Sequence, residues 1–328
     1  MGAVRRTTGP VLLLVATCMI AAASLVAGLM LGSYPLSVAD VLTALTGQAD
    51  SLAGDIVLKV RLPRVLAATA CGGLLALAGL LLQVLLRNPL ADPYVLGISG
   101  GAGLGMLAAT LLGASYVETH AAGLAGALGV VVVVFGLGYR AGDLHLYRLL
   151  LTGVVVSAGC GALIGLLLTL SPQGVVKGTL FWLMGDLSAA GDPRGAWAVL
   201  LLVGGLVWGG SGALNVLSLG RLKAASLGVP VAAAETAVYF VASTATVAAV
   251  ALGGTIGFVG LVVPHLIRLL GVTDLRWLVP LSLVAGGGLL SLADTLARWA
   301  FAPLQIPVGV LTALVGVPVM LVLLSRRS

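Results

Sequence analysis

The chain has 328 residues, 60% of them hydrophobic and only 9% charged, against roughly 25% charged in an ordinary soluble domain. That balance excludes a soluble globule. The continuous apolar runs, each about 20 residues long and able to cross the hydrocarbon as a helix, exclude a β-barrel, whose strands alternate. The net charge of +6 is scattered over short connections, so it reads as a topogenic signal rather than a nucleic-acid surface.

Ten spans are predicted along the chain, at 11–32, 64–86, 94–113, 121–139, 148–170, 195–210, 231–252, 256–270, 277–299 and 307–324. The expected fold is all-α, one polytopic membrane domain over residues 1–328, with no separate soluble domain. Arg5 and Arg6 before the first run resemble a signal peptide. The run is too long for a typical signal core and lacks a clear small-residue cleavage site, so it reads as a retained span. The eighth span is short and opens on Gly-Gly-Thr-Ile-Gly-Phe (253–258), the pattern of a broken or tilted helix.

An even number of spans puts both termini on one side, and Arg5, Arg6, Arg326 and Arg327 make that side the cytoplasm. Of the 17 basic residues, Lys59, Arg61, Arg64, Lys177, Arg194 and Arg298 then fall outside. The outer group at 59–64 runs against the positive-inside bias, and docking of an acidic partner would account for it. The longest hydrophilic stretches, 33–63 and 171–194, are expected to be loops or short interfacial helices.

No enzymatic motif stands out. Lys59, Lys177 and Lys223 are followed by Val, Gly and Ala, so none closes a P-loop. Cys18, Cys71 and Cys160 each lie in an apolar stretch, where a free thiol packs as a small residue. His120, His145 and His265 are far apart, and neither a catalytic constellation nor a metal-ligand spacing is present.

Four blocks carry more information. Residues 61–105 place two arginines before an apolar span, a proline-broken turn Asn-Pro-Leu-Ala-Asp-Pro (88–93) after it, and then Gly97, Gly101 and Gly105 every four residues. Such a smooth face lets helices approach closely, while Asn88 and Asp92 suit the backbone groups freed by Pro89 and Pro93. Residues 215–230 form an amphipathic inside segment with Arg221 and Lys223, ending in Gly-Val-Pro; alone, it also fits a plain surface loop. The block 253–280 places His265 and Arg268 at the inner end of the short span, where snorkelling to the interface is the plainer role. The block 292–324 sets Asp294 and Arg298 four apart, close enough to pair on one helix face.

Together and in this order, the blocks resemble the permease subunits of ATP-driven importers of iron chelates, haem and cobalamin, the FecCD type. The resemblance covers most of the chain from Arg61 onward. It implies a type II ABC importer permease that works as a homodimer, with two cytoplasmic ABC ATPase subunits binding ATP and Mg and no cofactor in this chain. An extracytoplasmic binding protein delivers cargo, and the location is the bacterial inner membrane. It further implies that Arg61, Arg64 and Arg298 grip carboxylates of the binding protein. Arg221, Ala224, Leu227 and Gly228 belong to the ATPase-coupling segment, whose Ala-x-x-Leu-Gly core is present at 224–228. Leu146 and Tyr147 form an inner gate. Thr152, Ser157, Gly161 and Gly165 line the pathway, together with residues 177–188. Two positions depart from the family pattern: Arg221 stands where an acid is usual, and Gln305 stands where a glutamate is. Ferric chelates are the first expectation for cargo. The competing class is an ion-gradient transporter, for which Glu235 and Asp294 are the acidic candidates within or near spans.

Overall fold

The computed structural model describes residues 9–46, 52–140, 143–188 and 190–325. The four terminal arginines that set the predicted orientation, Arg5, Arg6, Arg326 and Arg327, lie outside the described residues. In chain order the helices are α1 (Pro10–Met30), α2 (Val38–Leu45), α3 (Leu52–Asp55), a π-helical turn (Ile56–Arg61), α4 (Leu62–Leu85) and a 3-10 turn (Pro93–Leu96). There follow α5 (Ile98–Leu111), α6 (Tyr116–Gly138), α7 (Leu146–Thr169), α8 (Gln173–Leu183), α9 (Arg194–Gly209), α10 (Ser211–Ser218) and α11 (Arg221–Ser226). Last come α12 (Val231–Gly253), α13 (Val259–Leu269), α14 (Leu275–Trp299) and α15 (Val308–Ser325). Two short strands, β1 (Tyr139–Arg140) and β2 (Asp143–Leu144), form a hairpin just before α7.

Among the described residues, 6 helices are long and apolar enough to span a membrane, α9 and α10 form one further span bent by 64°, and α5, α13 and α15 are shorter apolar helices. These coincide with the ten predicted spans. The predicted outer stretches also carry structure: α2 lies in the first, capped by Ser37 and Asp40, and α8 lies in the second.

Helix α4 is apolar all round, and a helix with no polar face must be buried on every side. From Ala70 to Leu85 every residue is buried, enclosed by α9, α12, α13 and α14, with α1 against its start. Glycines set the spacing. A Cβ on Gly79 would sit 1.9 Å from the carbonyl oxygen of Gly260 in α13, and one on Gly72 would sit 2.2 Å from that of Gly286 in α14. Backbone therefore meets backbone, the close approach that drives helix association in lipid. The predicted glycine face on α5 does the same: Gly101 meets Gly126, and Gly105 meets Ala122, both on α6.

The helix breaks follow from proline and are repaired locally. Pro63 cannot donate to the carbonyl four residues earlier, and the turn before it widens to π geometry, with Leu62 N–H reaching back to Val57. Pro264 likewise leaves the Gly260 carbonyl without its helical donor. Gln83 of α4 supplies one, its Nε2 lying 3.4 Å from Gly260 O and 3.2 Å from Leu261 O. In the 88–93 turn, Asn88 Oδ1 accepts from Leu90 N–H at 2.9 Å and Asp92 Oδ1 from Tyr94 N–H at 2.8 Å, the repair expected of those side chains. The Tyr94 hydroxyl then accepts from Ile256 N–H at 3.0 Å, which satisfies part of the break between α12 and α13.

These contacts make a graded expectation. Gly79→Ala forces α4 and α13 apart and is expected to destabilise the fold by about 1–3 kcal/mol, the usual range for overpacking. Gly129→Ala, with nothing within 4 Å of its added Cβ, leaves stability unchanged or slightly raised. Thermal unfolding of the two purified variants in detergent checks the contrast.

Candidate functional site

Two charged clusters mark the ends of α4, separated by its 24 residues, a rise of about 36 Å at 1.5 Å per residue. The first gathers the three arginines predicted for partner docking. Asp294 on α14 is almost fully buried and receives Arg64 through Nε (3.1 and 3.0 Å to its two oxygens) and Nη2 (2.9 Å). It also receives Arg298 Nε at 3.0 Å, the four-residue pairing expected from spacing. Arg64 Nη1 donates to Gln305 Oε1 at 2.9 Å. Arg61 donates through Nη1 to the carbonyls of Leu29 and Met30, at 2.7 and 2.8 Å, and through Nη2 to that of Tyr34.

Leu29 and Met30 close α1, so their carbonyls have no helical donor and sit at the negative end of the helix dipole. Arg61 caps that helix. The three arginines expected at a docking surface are tied into the protein itself: Arg61 is 3% exposed and Arg298 6%, and Arg64 keeps an edge at the surface, toward Gln305. All three arginines and Gln305 line a cavity of about 190 Å³. Among the described residues, the one carboxylate that pairs with any of them is Asp294, so the cavity wall carries excess positive charge.

The second cluster lies at the far end of α4. Glu235, on the first turns of α12, is completely buried and pairs with Arg87 and Arg221, each at 3.1 Å. Arg221, at the start of α11, also grips Asp143 of the hairpin at 2.6 and 2.5 Å and donates to Leu144 O at 3.3 Å. The bond from Arg221 holds the Asp143 carboxyl below the usual carboxylate range, and the same contact raises Arg221. A depressed acid contributes stability that is present above its unfolded pKa and is lost as pH falls through the folded one. The pair is therefore charged at neutral pH and is weakened only by acid.

Helix α11 sits between two left-handed glycines, Gly220 (φ 110°) and Gly228 (φ 82°), a backbone state open to glycine without strain. Its Ala224 is buried, while Leu222 is 89% and Leu227 63% exposed. Leu146 and Tyr147, expected in a loop, are instead the first two residues of α7; Leu146 is half-buried and Tyr147 is 79% exposed. On α7, Gly161 and Gly165 lie on the exposed face with nothing within 4 Å of an added Cβ, and Thr152 and Ser157 are half-buried on its flanks. In the predicted 177–188 segment, no residue of α8 is buried. Just beyond α8, Gly185 and Met184 press on Thr255 and Gly309, tying the segment to the break before α13 and to α15. His265 is buried, and Arg268 donates to Gln83 Oε1.

Sequence reasoning missed three members of the second cluster, Arg87, Asp143 and Glu235, as a group. The available signal was Glu235 itself, because an acid inside an apolar span needs a cation. Both acids considered for an ion-gradient mechanism, Glu235 and Asp294, are bound in arginine pairs. Among the described residues no group of three or more His, Cys, Asp or Glu could hold a metal ion.

The sequence pattern of the FecCD transport family matches residues 18–326. The chain belongs to the FecCD transport family. This FecCD permease is 39% identical over 307 residues to the vitamin B12 import system permease protein BtuC of Escherichia coli O127:H6, covering 92% of this chain and 93% of that protein. The BtuC of Escherichia coli O139:H28 is likewise 39% identical, over 275 residues, with 82% and 83% covered. Among solved structures, an ABC transporter assigned to the metal-chelate type, in an inward-facing conformation, superposes with a TM-score of 0.85 at 31% identity, covering 95% of this chain and 98% of that one. PsaBC from Streptococcus pneumoniae, solved in complex with Fab, shares the fold at a TM-score of 0.58 and 17% identity, covering 87% of this chain and 95% of that one. The family and the fold make this chain a multi-pass permease of an ABC importer.

Buried ion pairs are most sensitive to losing one partner. Asp294→Asn leaves Arg64 and Arg298 facing each other and is expected to lower stability by about 3–5 kcal/mol. Lys59→Gln, which removes a pair with Asp55 that is open to solvent on both sides, leaves the unfolding midpoint where it was. Paired thermal melts check this.

Proposed function

We propose that two copies of this chain form the membrane pathway of an importer driven by two ABC ATPase subunits and supplied by an extracytoplasmic binding protein. The observation that carries the reading is α11. It is a short helix held between two glycines, offering Leu222 and Leu227 outward, and it lies against the hairpin that precedes α7. Exposed leucines on a polar-faced helix suit a partner groove, and the chain itself has no P-loop, so ATP and Mg belong to that partner. Arg221, Ala224, Leu227 and Gly228 are the coupling segment in this reading. Both termini, with α11, face the cytoplasm of a bacterial inner membrane.

The exposed small-residue face of α7, with Gly161 and Gly165 flanked by Thr152 and Ser157, is the surface on which a second copy completes the pathway. Leu146 and Tyr147, at the inner end of the same helix, close it by bulk and dewetting. At the outer end, the positive cavity of Arg64, Arg298 and Gln305, braced by Arg61, receives a carboxylate of the binding protein. Guanidinium forks favour such partners. The cargo is a metal chelate: the likeness to BtuC favours cobalamin, and the family admits ferric siderophore and haem. Reconstitution with its ATPase and binding protein tests the reading, because cargo should enter proteoliposomes only with ATP. Transport by the permease alone would refute it. Uptake of cobalamin, ferric siderophore and haem in parallel identifies the cargo.

Two variants test the surfaces separately. Leu222→Asp, at an exposed position, is expected to leave folding intact and to remove co-purification of the ATPase. The double change Leu146→Gly with Tyr147→Gly is expected to raise passive leak of cargo or uncoupled ATP hydrolysis. Unchanged leak and unchanged coupling would place the gate elsewhere.

A further inference from the structure

We propose that the Arg221–Asp143 ion pair is a positioning contact that carries movement of α11 to the inner gate at the start of α7. The inference rests on the proposed coupling role of α11 and adds the residues that transmit it. Arg221 and Leu222 are adjacent: one side chain points into the protein, and the next is the most exposed leucine of the helix. Asp143 pairs in register with Arg140 across the β1–β2 hairpin, and two residues after Leu144 the chain enters α7 at Leu146. Arg221 holds this strand twice, through the Asp143 carboxylate and the Leu144 carbonyl. A displacement of α11 therefore pulls on the strand that leads directly into Leu146 and Tyr147.

Glu235 supplies the fixed point. It is wholly buried on α12 and held from its other side by Arg87, which follows the buried helix α4. Arg221 thus bridges an acid anchored in the helix body and an acid on a small hairpin whose side chain is 37% exposed. Nη2 of Arg221 holds both oxygens of Asp143 while Nη1 holds the Leu144 carbonyl and Glu235, a charge-assisted tie where a plain apolar contact would let the hairpin slide.

The test leaves the buried pair intact. Arg221→Gln would strip Glu235 of one cation and risk misfolding, so the change is made at Asp143. Asp143→Asn and Asp143→Glu are placed in the permease–ATPase complex and reconstituted with the binding protein. Cargo imported per ATP hydrolysed is then measured beside the unfolding midpoint. Asp143→Asn is expected to lower the unfolding midpoint only slightly and to keep ATP hydrolysis, while cargo per ATP falls at least about five-fold, the low end of ordinary site-to-site coupling. Asp143→Glu is expected to restore most of it. A wild-type ratio in Asp143→Asn overturns the proposal. Wild-type complex that imports cargo without ATP would overturn the importer reading itself, a separate and distinguishable result.

Discussion

The architecture depends on the burial of α4. From Ala70 to Leu85 it is almost entirely leucine, alanine and glycine, with Gln83 its one amide side chain, and it is enclosed by other helices of the same chain. Lipid offers no hydrophobic gain for burying such a helix, because acyl chains are as apolar as leucine. Close van der Waals packing has to hold it, and packing at that distance requires glycine where backbones cross. Gly72 and Gly79 lie seven residues apart, about two turns, and meet α14 and α13 respectively. The remaining helices take their places relative to this post.

Charge then marks its two ends. With only 9% of residues charged, each ionisable group near a span needs a partner, and the structure concentrates them. The first cluster binds α4, α14 and the end of α1 together through Asp294 and the three arginines. The second cluster binds the turn after α4, the hairpin, α11 and α12 through Arg87, Arg221, Asp143 and Glu235. Their burial differs, and so does their mechanical character. Asp294 is sealed between two guanidinium groups, which suits a rigid brace. The Arg221–Asp143 contact is half open to water, where an ion pair is weaker and can exchange, which suits a part that moves.

The two positions expected to depart from the family pattern each have a local account. Arg221 is matched by Asp143. The amide oxygen of Gln305 accepts from Arg64, while Asp294 supplies the negative charge for Arg64 and Arg298. A neutral residue at 305 leaves the cavity more positive than a glutamate would.

The ten spans, their approximate limits and the shortness of the eighth were legible in the sequence, while the break falls just before that helix rather than within it. Length, hydropathy and proline positions are local properties, and in a membrane they dictate helices. The roles of Asn88 and Asp92 were legible for the same reason, since each repairs backbone two residues away. The small faces of Gly101 and Gly105 were visible as a period of four, though not the helix they would meet. What only the tertiary structure decided is which charges come together. Asp294 with Arg298 follows from a spacing of four, but Arg64 reaches Asp294 across 230 positions and Arg221 reaches Asp143 across 78. Arg61 looked like a free outward cation. It is the cap of α1, because the chain end it serves becomes its neighbour only when α1 packs beside the start of α4. No periodicity encodes that meeting, which the packing of helices around α4 imposes.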